Sequence, residues 1–211
     1  MVEFNNSVFE MNLDCVITVM ETPLARVCVI DNYYKNFNEV IVECAKLPYA
    51  ITAYNNADMF DGRQSYGGNM EGTRLPFPEL HSEMVADIIS YGGGLTTPNA
   101  LVLNCNQALS NKWENYYYNA HTDHQEKDTM STVVMLNESY DEGEGLNTYD
   151  SRASSFELWS PRTVLKLNTF IQAKPNRAIL FTADLPHGAA FNTSQFQGEM
   201  RHTQAIFTHL S

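Results

Sequence analysis

What the chain lacks narrows it first. No stretch approaches the roughly 18 consecutive apolar residues that a membrane-spanning helix needs, so a helical membrane protein is not expected. The start, Met1-Val2-Glu3-Phe4-Asn5-Asn6, has no basic segment followed by an apolar one, so no secretory signal is read. Positive charge is scarce: 13 Lys and Arg face 25 Asp and Glu, for a net charge of −12. No basic stripe is visible, which argues against a nucleic-acid-gripping protein. Cysteine is scarce too. Cys15, Cys28, Cys44 and Cys105 are widely spaced with no Cys-x-x-Cys pair, and a chain of 211 residues does not need disulfide staples. A cytoplasmic setting fits these absences together. Without a repeat, a low-complexity tract or a linker, one domain over residues 1–211 is expected.

What is present is a core-forming composition, 44% apolar and 11% aromatic. Residues 1–100 read as a helical and loop-rich support. Phe37, Val40, Ile41 and Cys44 fall at i, i+3, i+4 and i+7, one stripe of an amphipathic helix. Leu80, Met84, Val85 and Ile88 form a second stripe, with Pro78 near its start and Gly92-Gly93-Gly94 ending it. Between them, Asp58 to Arg74 is rich in Gly, Asn and charge, and reads as a long loop of the kind that forms lids.

Residues 101–211 carry strand signals instead. Leu101–Leu103, Tyr116–Tyr118, Ser131–Leu136, Leu146–Tyr149, Val164–Ile171, Ala178–Phe181 and Arg201–Phe207 are the candidates, with turns at Glu142–Gly145 and Lys174–Asn176. Many short strands after two helices predict a mainly β protein with N-terminal helices, an α+β chain whose β-region is an antiparallel jelly-roll.

The chemistry concentrates in His121-Thr122-Asp123, then His187, then Arg201. Residues two apart on a strand face the same way. A third ligand from a distant strand completes a 2-His-1-carboxylate facial triad, the set that leaves open positions on a non-haem Fe(II). A keto acid such as 2-oxoglutarate can take two of them, and O2 the last. Arginine suits that co-substrate's far carboxylate, since its planar fork binds two oxygens at once. The bland readings are a strand-end pair at His121 and Asp123, a solvated loop histidine at His187 after the turn Thr182–Pro186, and a surface ion pair at Arg201.

The order of these pieces resembles the Fe(II)- and 2-oxoglutarate-dependent oxygenases, particularly prolyl-hydroxylase-like and phage-encoded members, over about residues 27 to 208. Val29-Ile30-Asp31-Asn32-Tyr33-Tyr34 and the helix after Asn36 look like the family's opening strand and helix. Ala120-His121-Thr122-Asp123-His124 looks like its metal segment, and Thr132–Asn137 with Glu144-Gly145-Leu146 like the strand and glycine turn that follow. Asn176–Phe181 with Leu185-Pro186-His187-Gly188 looks like the approach to the second histidine, and Arg201–Phe207 like the co-substrate strand. One departure is the long connection between His187 and Arg201, through Phe191–Phe196.

The resemblance implies a double-stranded β-helix, a cupin-like jelly-roll. It implies iron on His121, Asp123 and His187, the three catalytic residues, and 2-oxoglutarate on Arg201 with the Thr203 hydroxyl beside it. It implies hydroxylation of a substrate with release of succinate and CO2, ascorbate supporting the iron. The substrate is expected to be a small molecule or a peptide. Tyr117 and Asn119 share the parity of His121 and could line the pocket, with Tyr116 and Tyr118 as plain core residues the equal alternative; Arg177 stands at a strand start, where a structural role is open. The segments Asp58 to Arg74 and Ser151 to Arg162 are the candidate rims. Two other classes stay open: a cupin-type metal dioxygenase that uses no keto acid, and a non-catalytic jelly-roll binding module.

Overall fold

The computed structural model describes residues 3–46, 52–54, 65–69, 76–89, 99–108, 122–123, 128–150, 166–190 and 201–210, with the backbone alone for 52–54, 65–69, 99–108 and 201. Eleven strands and two α-helices are found among them: β1 (Val16–Glu21), β2 (Arg26–Asp31), α1 (Phe37–Cys44), β3 (Thr52–Tyr54), β4 (Ser65–Asn69), α2 (His81–Ile89), β5 (Asn99–Ala108), β6 (Thr129–Met135), β7 (Gly145–Tyr149), β8 (Leu167–Gln172), β9 (Ala178–Thr182), β10 (His187–Ala190) and β11 (Arg201–His209). The protein is mostly antiparallel β-sheet with two helices. A large sheet has the order β1-β2-β9-β6-β11-β5-β4-β3, and a small one β10-β7-β8.

The chain winds between the two sheets. β6 lies in the large sheet, β7 and β8 form a hairpin in the small one, β9 returns to the large sheet, β10 goes to the small one, and β11 returns between β6 and β5. Strand parity then divides the core in two. On β2, Val27 and Val29 face one way and Cys28 and Ile30 the other; on β9, Ile179 and Phe181 oppose Ala178 and Leu180. The first set packs with Met135, Leu146, Ile171 and Leu185, side chains of both sheets and the loop before β10. The second set packs with Val40, Cys44, Met84 and Val85 of the helices. The helices therefore cover the large sheet's outer face, and the other apolar cluster joins the two sheets.

The first hundred residues depart from the sequence reading. They carry four strands, β1 to β4, which extend the large sheet at both ends; only β2 overlaps the opening strand expected at Val29–Tyr34. β4 lies inside the segment read as a long loop from Asp58 to Arg74, the rest of which is outside the described residues. The second helical stripe holds at Met84 and Val85, with Ile88 partly buried, but its first position differs: His81 is buried, whereas Leu80 precedes the helix at 42% exposure. The predicted strand at Tyr116–Tyr118, the glycines at 92–94 and the rim at Ser151 to Arg162 lie outside the described residues.

Arg177 is a structural residue. Its Nε and one terminal nitrogen donate to the two carboxylate oxygens of Asp31, at 2.6 and 2.7 Å, and the other donates to the carbonyl of Gln172 at 2.7 Å. All three nitrogens are engaged in tying β2 to the turn before β9, and the guanidinium holds the Asp31 carboxyl below its usual range. That geometry leaves no fork for a co-substrate carboxylate.

Gly145 is required by a close approach. A Cβ added there would lie 2.0 Å from the carbonyl oxygen of Ile171 on β8, and 3.0 Å from the backbone nitrogen of Ala173, which donates to the carbonyl of Glu144 at 2.7 Å. Relieving such an overlap means separating β7 from β8. We expect Gly145→Ala to lower unfolding free energy by about 3 kcal/mol, measured by urea denaturation. A loss within about 0.5 kcal/mol would show that the strands can part cheaply.

Candidate functional site

The site is built from the turn between β9 and β10. Leu185 N donates to the carbonyl of Thr182 at 2.9 Å, closing the turn. Ala183 N donates to Thr129 O of β6 at 2.8 Å, and Tyr149 N of β7 donates to Pro186 O at 2.9 Å. One turn is thus fastened to both sheets, and it delivers His187. The sequence places this histidine after a turn in a solvated loop or a metal site; the structure makes it the first residue of β10, paired with Thr148 of β7 and only 3% exposed. A solvated loop histidine is excluded, because the residue is paired within β10–β7, buried, and packed against Phe181.

The imidazole is fixed on two sides. Its Nδ1 lies 2.8 Å from the carbonyl oxygen of Leu185. A carbonyl only accepts, so Nδ1 carries the proton and donates, and in the neutral ring Nε2 is left with its lone pair. The ring of Phe181, itself fully buried, stands against the imidazole with centroids 4.5 Å apart and planes inclined at 56°.

Nε2 faces the carboxylate of Asp123. The separation from Oδ2 is 3.6 Å, with the two side chains 4% and 14% exposed. That distance is too long for a hydrogen bond, and a directly bonded imidazolium–carboxylate pair closes to about 2.7–2.9 Å. Two donors each about 2.1 Å from one divalent ion lie at most about 4.2 Å apart, so 3.6 Å fits joint ligation. The donor set fits as well: a neutral imidazole whose other nitrogen donates to a backbone carbonyl is the usual state of a metal-bound histidine. These residues fit a metal.

Of the predicted site residues, the structure brings Asp123 and His187 together. His121 lies outside the described residues, as do Tyr117 and Asn119. Among the described residues no group of three His, Cys, Asp or Glu gathers to hold a metal. Arg201 opens β11, its backbone paired with Asn106 of β5. Thr203, two positions on, pairs with Asn104 and Met135 and is 6% exposed. Its neighbour Met135 belongs to the inter-sheet cluster around Phe181 and Leu185, so Thr203 stands on the face of the large sheet that carries the site. Sequence reasoning missed Leu185 and Phe181. The first acts through a backbone carbonyl, which no side-chain pattern reveals, and the second is one apolar residue in an apolar run.

No protein-family model matches the chain, and no curated protein matches it. Solved structures similar to it include EvdMO1 (16% identity, TM-score 0.45, 68% of this chain and 35% of that one). A prolyl 4-hydroxylase from Phytophthora capsici is similar at 15% identity and TM-score 0.49, over 88% of this chain and 59% of that one. SnoN, a non-heme alpha-ketoglutarate-dependent epimerase from nogalamycin biosynthesis, is similar at 9% identity and TM-score 0.47, over 87% and 77%. The chain spans about a third of EvdMO1 and three fifths of the Phytophthora protein. No helix among the described residues is long and apolar enough to cross a membrane.

Proposed function

We propose that this chain is an Fe(II)- and 2-oxoglutarate-dependent dioxygenase, a single domain over residues 1–211 on a double-stranded β-helix, that hydroxylates a small molecule or a peptide. The observation that carries this reading is the buried Nε2 of His187 facing Asp123 Oδ2 at 3.6 Å while Nδ1 is committed to the Leu185 carbonyl. The winding of β6 to β11 between two antiparallel sheets supports the β-helix.

His121, Asp123 and His187 would hold the iron, with Arg201 and Thr203 taking the distal carboxylate of 2-oxoglutarate and ascorbate keeping the metal reduced. When bound, the iron supplies O2 activation coupled to decarboxylation of the keto acid to succinate and CO2. The chain's own residues do the rest. The Leu185 carbonyl keeps the His187 proton on Nδ1, so that Nε2 points its lone pair at the site. The Phe181 ring packs against the imidazole, which is 3% exposed and so shielded from water. Thr203 offers a buried hydroxyl on the same face, and the guanidinium of Arg201 would add a two-pronged partner.

Two measurements test this. Aerobic incubation with Fe(II), ascorbate and 2-oxoglutarate should yield succinate above a metal-only background. Bound iron without any succinate would sink the reading in favour of a binding module, and iron-dependent oxidation indifferent to the keto acid would favour a cupin-type dioxygenase. Arg201→Ala should raise the 2-oxoglutarate KM at least about tenfold, because a charge-assisted hydrogen bond contributes on the order of 1.5–3 kcal/mol. Arg201→Lys should recover part of it, keeping charge without the fork. Unchanged kinetics in Arg201→Ala would remove the residue from the co-substrate site.

A further inference from the structure

We infer that Phe181 is a positioning residue for His187, its ring holding the imidazole in the plane that keeps Nδ1 on the Leu185 carbonyl and Nε2 toward Asp123. The role in metal binding rests on the dioxygenase reading; the control of ring orientation does not.

A histidine's outer torsion is soft and broadly two-fold. Rotation of the ring by half a turn exchanges nitrogen for carbon at both edges: Nδ1 would leave the Leu185 carbonyl and Nε2 would leave Asp123. The 2.8 Å hydrogen bond to the Leu185 carbonyl favours the observed one of these two orientations, and the Phe181 ring, 4.5 Å away and tilted at 56°, resists the swing out of plane that passage between them requires. The phenyl ring can serve as a fixed surface because its own backbone cannot move. β9 lies between β2 and β6, and Phe181 itself is paired with Val27 on one side and Ser131 on the other. It belongs to the large sheet, whereas His187 belongs to the small one, so the contact also joins the two sheets at the site. An aliphatic side chain of similar bulk fills volume there but presents no flat face to an imidazole. Removing a hydrogen-bonded partner that orients a metal-binding histidine typically costs about 10- to 100-fold in metal affinity, and loss of the packed ring is expected to reach the lower end of that range.

The test uses the full-length protein with Phe181→Leu and Phe181→Met, which keep bulk and remove the ring, and Ile179→Val as a control. Ile179 faces the same inter-sheet cluster from the same strand, so its truncation loosens packing without touching the imidazole contact. Two readouts are taken: the His187 tautomer by nitrogen-15 NMR of metal-free protein, and Co(II) affinity by competitive titration. The expected result is a single Nδ1–H form in wild type and Ile179→Val, a mixture in both Phe181 variants, and Co(II) binding about tenfold weaker in those variants. A single unchanged tautomer in both Phe181 variants overturns the inference, as does an equal change in Ile179→Val, which would make the effect one of general packing. Should wild type bind no Co(II) through His187, the metal centre fails, and the tautomer comparison alone still decides the role of Phe181.

Discussion

Asp123→Ala and His121→Ala should each abolish tight binding of one divalent ion, whether Fe(II) or a Mn, Co, Ni or Zn surrogate. The loss should be at least about 100-fold in affinity, since removing a ligand exceeds the 10- to 100-fold effect of removing a group behind one. Three protein donors hold a borderline ion, and two leave the remaining positions to water. Asp123 is the better probe of the pair in the structure. Its side chain is 14% exposed against 4% for His187, so its truncation leaves less of a hole. His187→Ala, by contrast, removes a ring packed on Phe181 at the head of β10, and part of any defect there is lost packing. Metal analysis after dialysis, with far-UV dichroism as the folding check, measures the effect. Full stoichiometry in both Asp123→Ala and His121→Ala would end the assignment.

The part of this site that could be read in the sequence is the part written in residue type. His187 stands out because an apolar strand, a turn and a proline lead to it, and the structure supplies a reason for each. Ala178 to Phe181 form the middle of the large sheet, and the turn is clamped to Thr129 and Tyr149. What fixes the imidazole was not legible, because the Leu185 carbonyl belongs to every residue alike. β1 was legible in principle: Val16-Ile17-Thr18-Val19 is β-branched throughout and a proline follows at position 23. β4 was not. Ser65-Tyr66-Gly67-Gly68-Asn69 has almost no strand propensity, and its pairing with β3 and β5 makes it a strand. Arg177 and Asp31 show the same limit from the other side, since their sequence separation hides a bidentate pair.

His81 is where the helical stripe departs from its expected start, with the largest consequence. The stripe read from Leu80 leaves the histidine out; the structure places it at the first buried position of α2, fully enclosed, with Nδ1 2.8 Å from the hydroxyl of Tyr33. Among the described residues its Nε2 has no hydrogen-bond partner. Burial depresses its pKa from an ordinary 6.5 to about 4, so the folded protein holds it neutral while the unfolded chain protonates it below about pH 6.5. Between those two values the unfolded state binds the extra proton, and stability must therefore fall as pH falls. The full shift corresponds to about 3 kcal/mol, reached near pH 4. His202 shifts in the same direction by burial and adds to the slope. Asp31, held low by Arg177, contributes stability that disappears at more acid pH. The upper part of the window, from pH 6.5 to 5, therefore belongs chiefly to histidine. Replacing both partners of the buried hydrogen bond, Tyr33→Phe with His81→Leu, leaves no orphaned hydroxyl and should be close to neutral at pH 7.5. Urea unfolding of metal-free protein at pH 7.5 and pH 5 should then show a smaller loss in the double variant than in wild type, by about 2 kcal/mol. Equal losses in the two proteins would mean that His81 takes up its proton in the folded state as readily as in water.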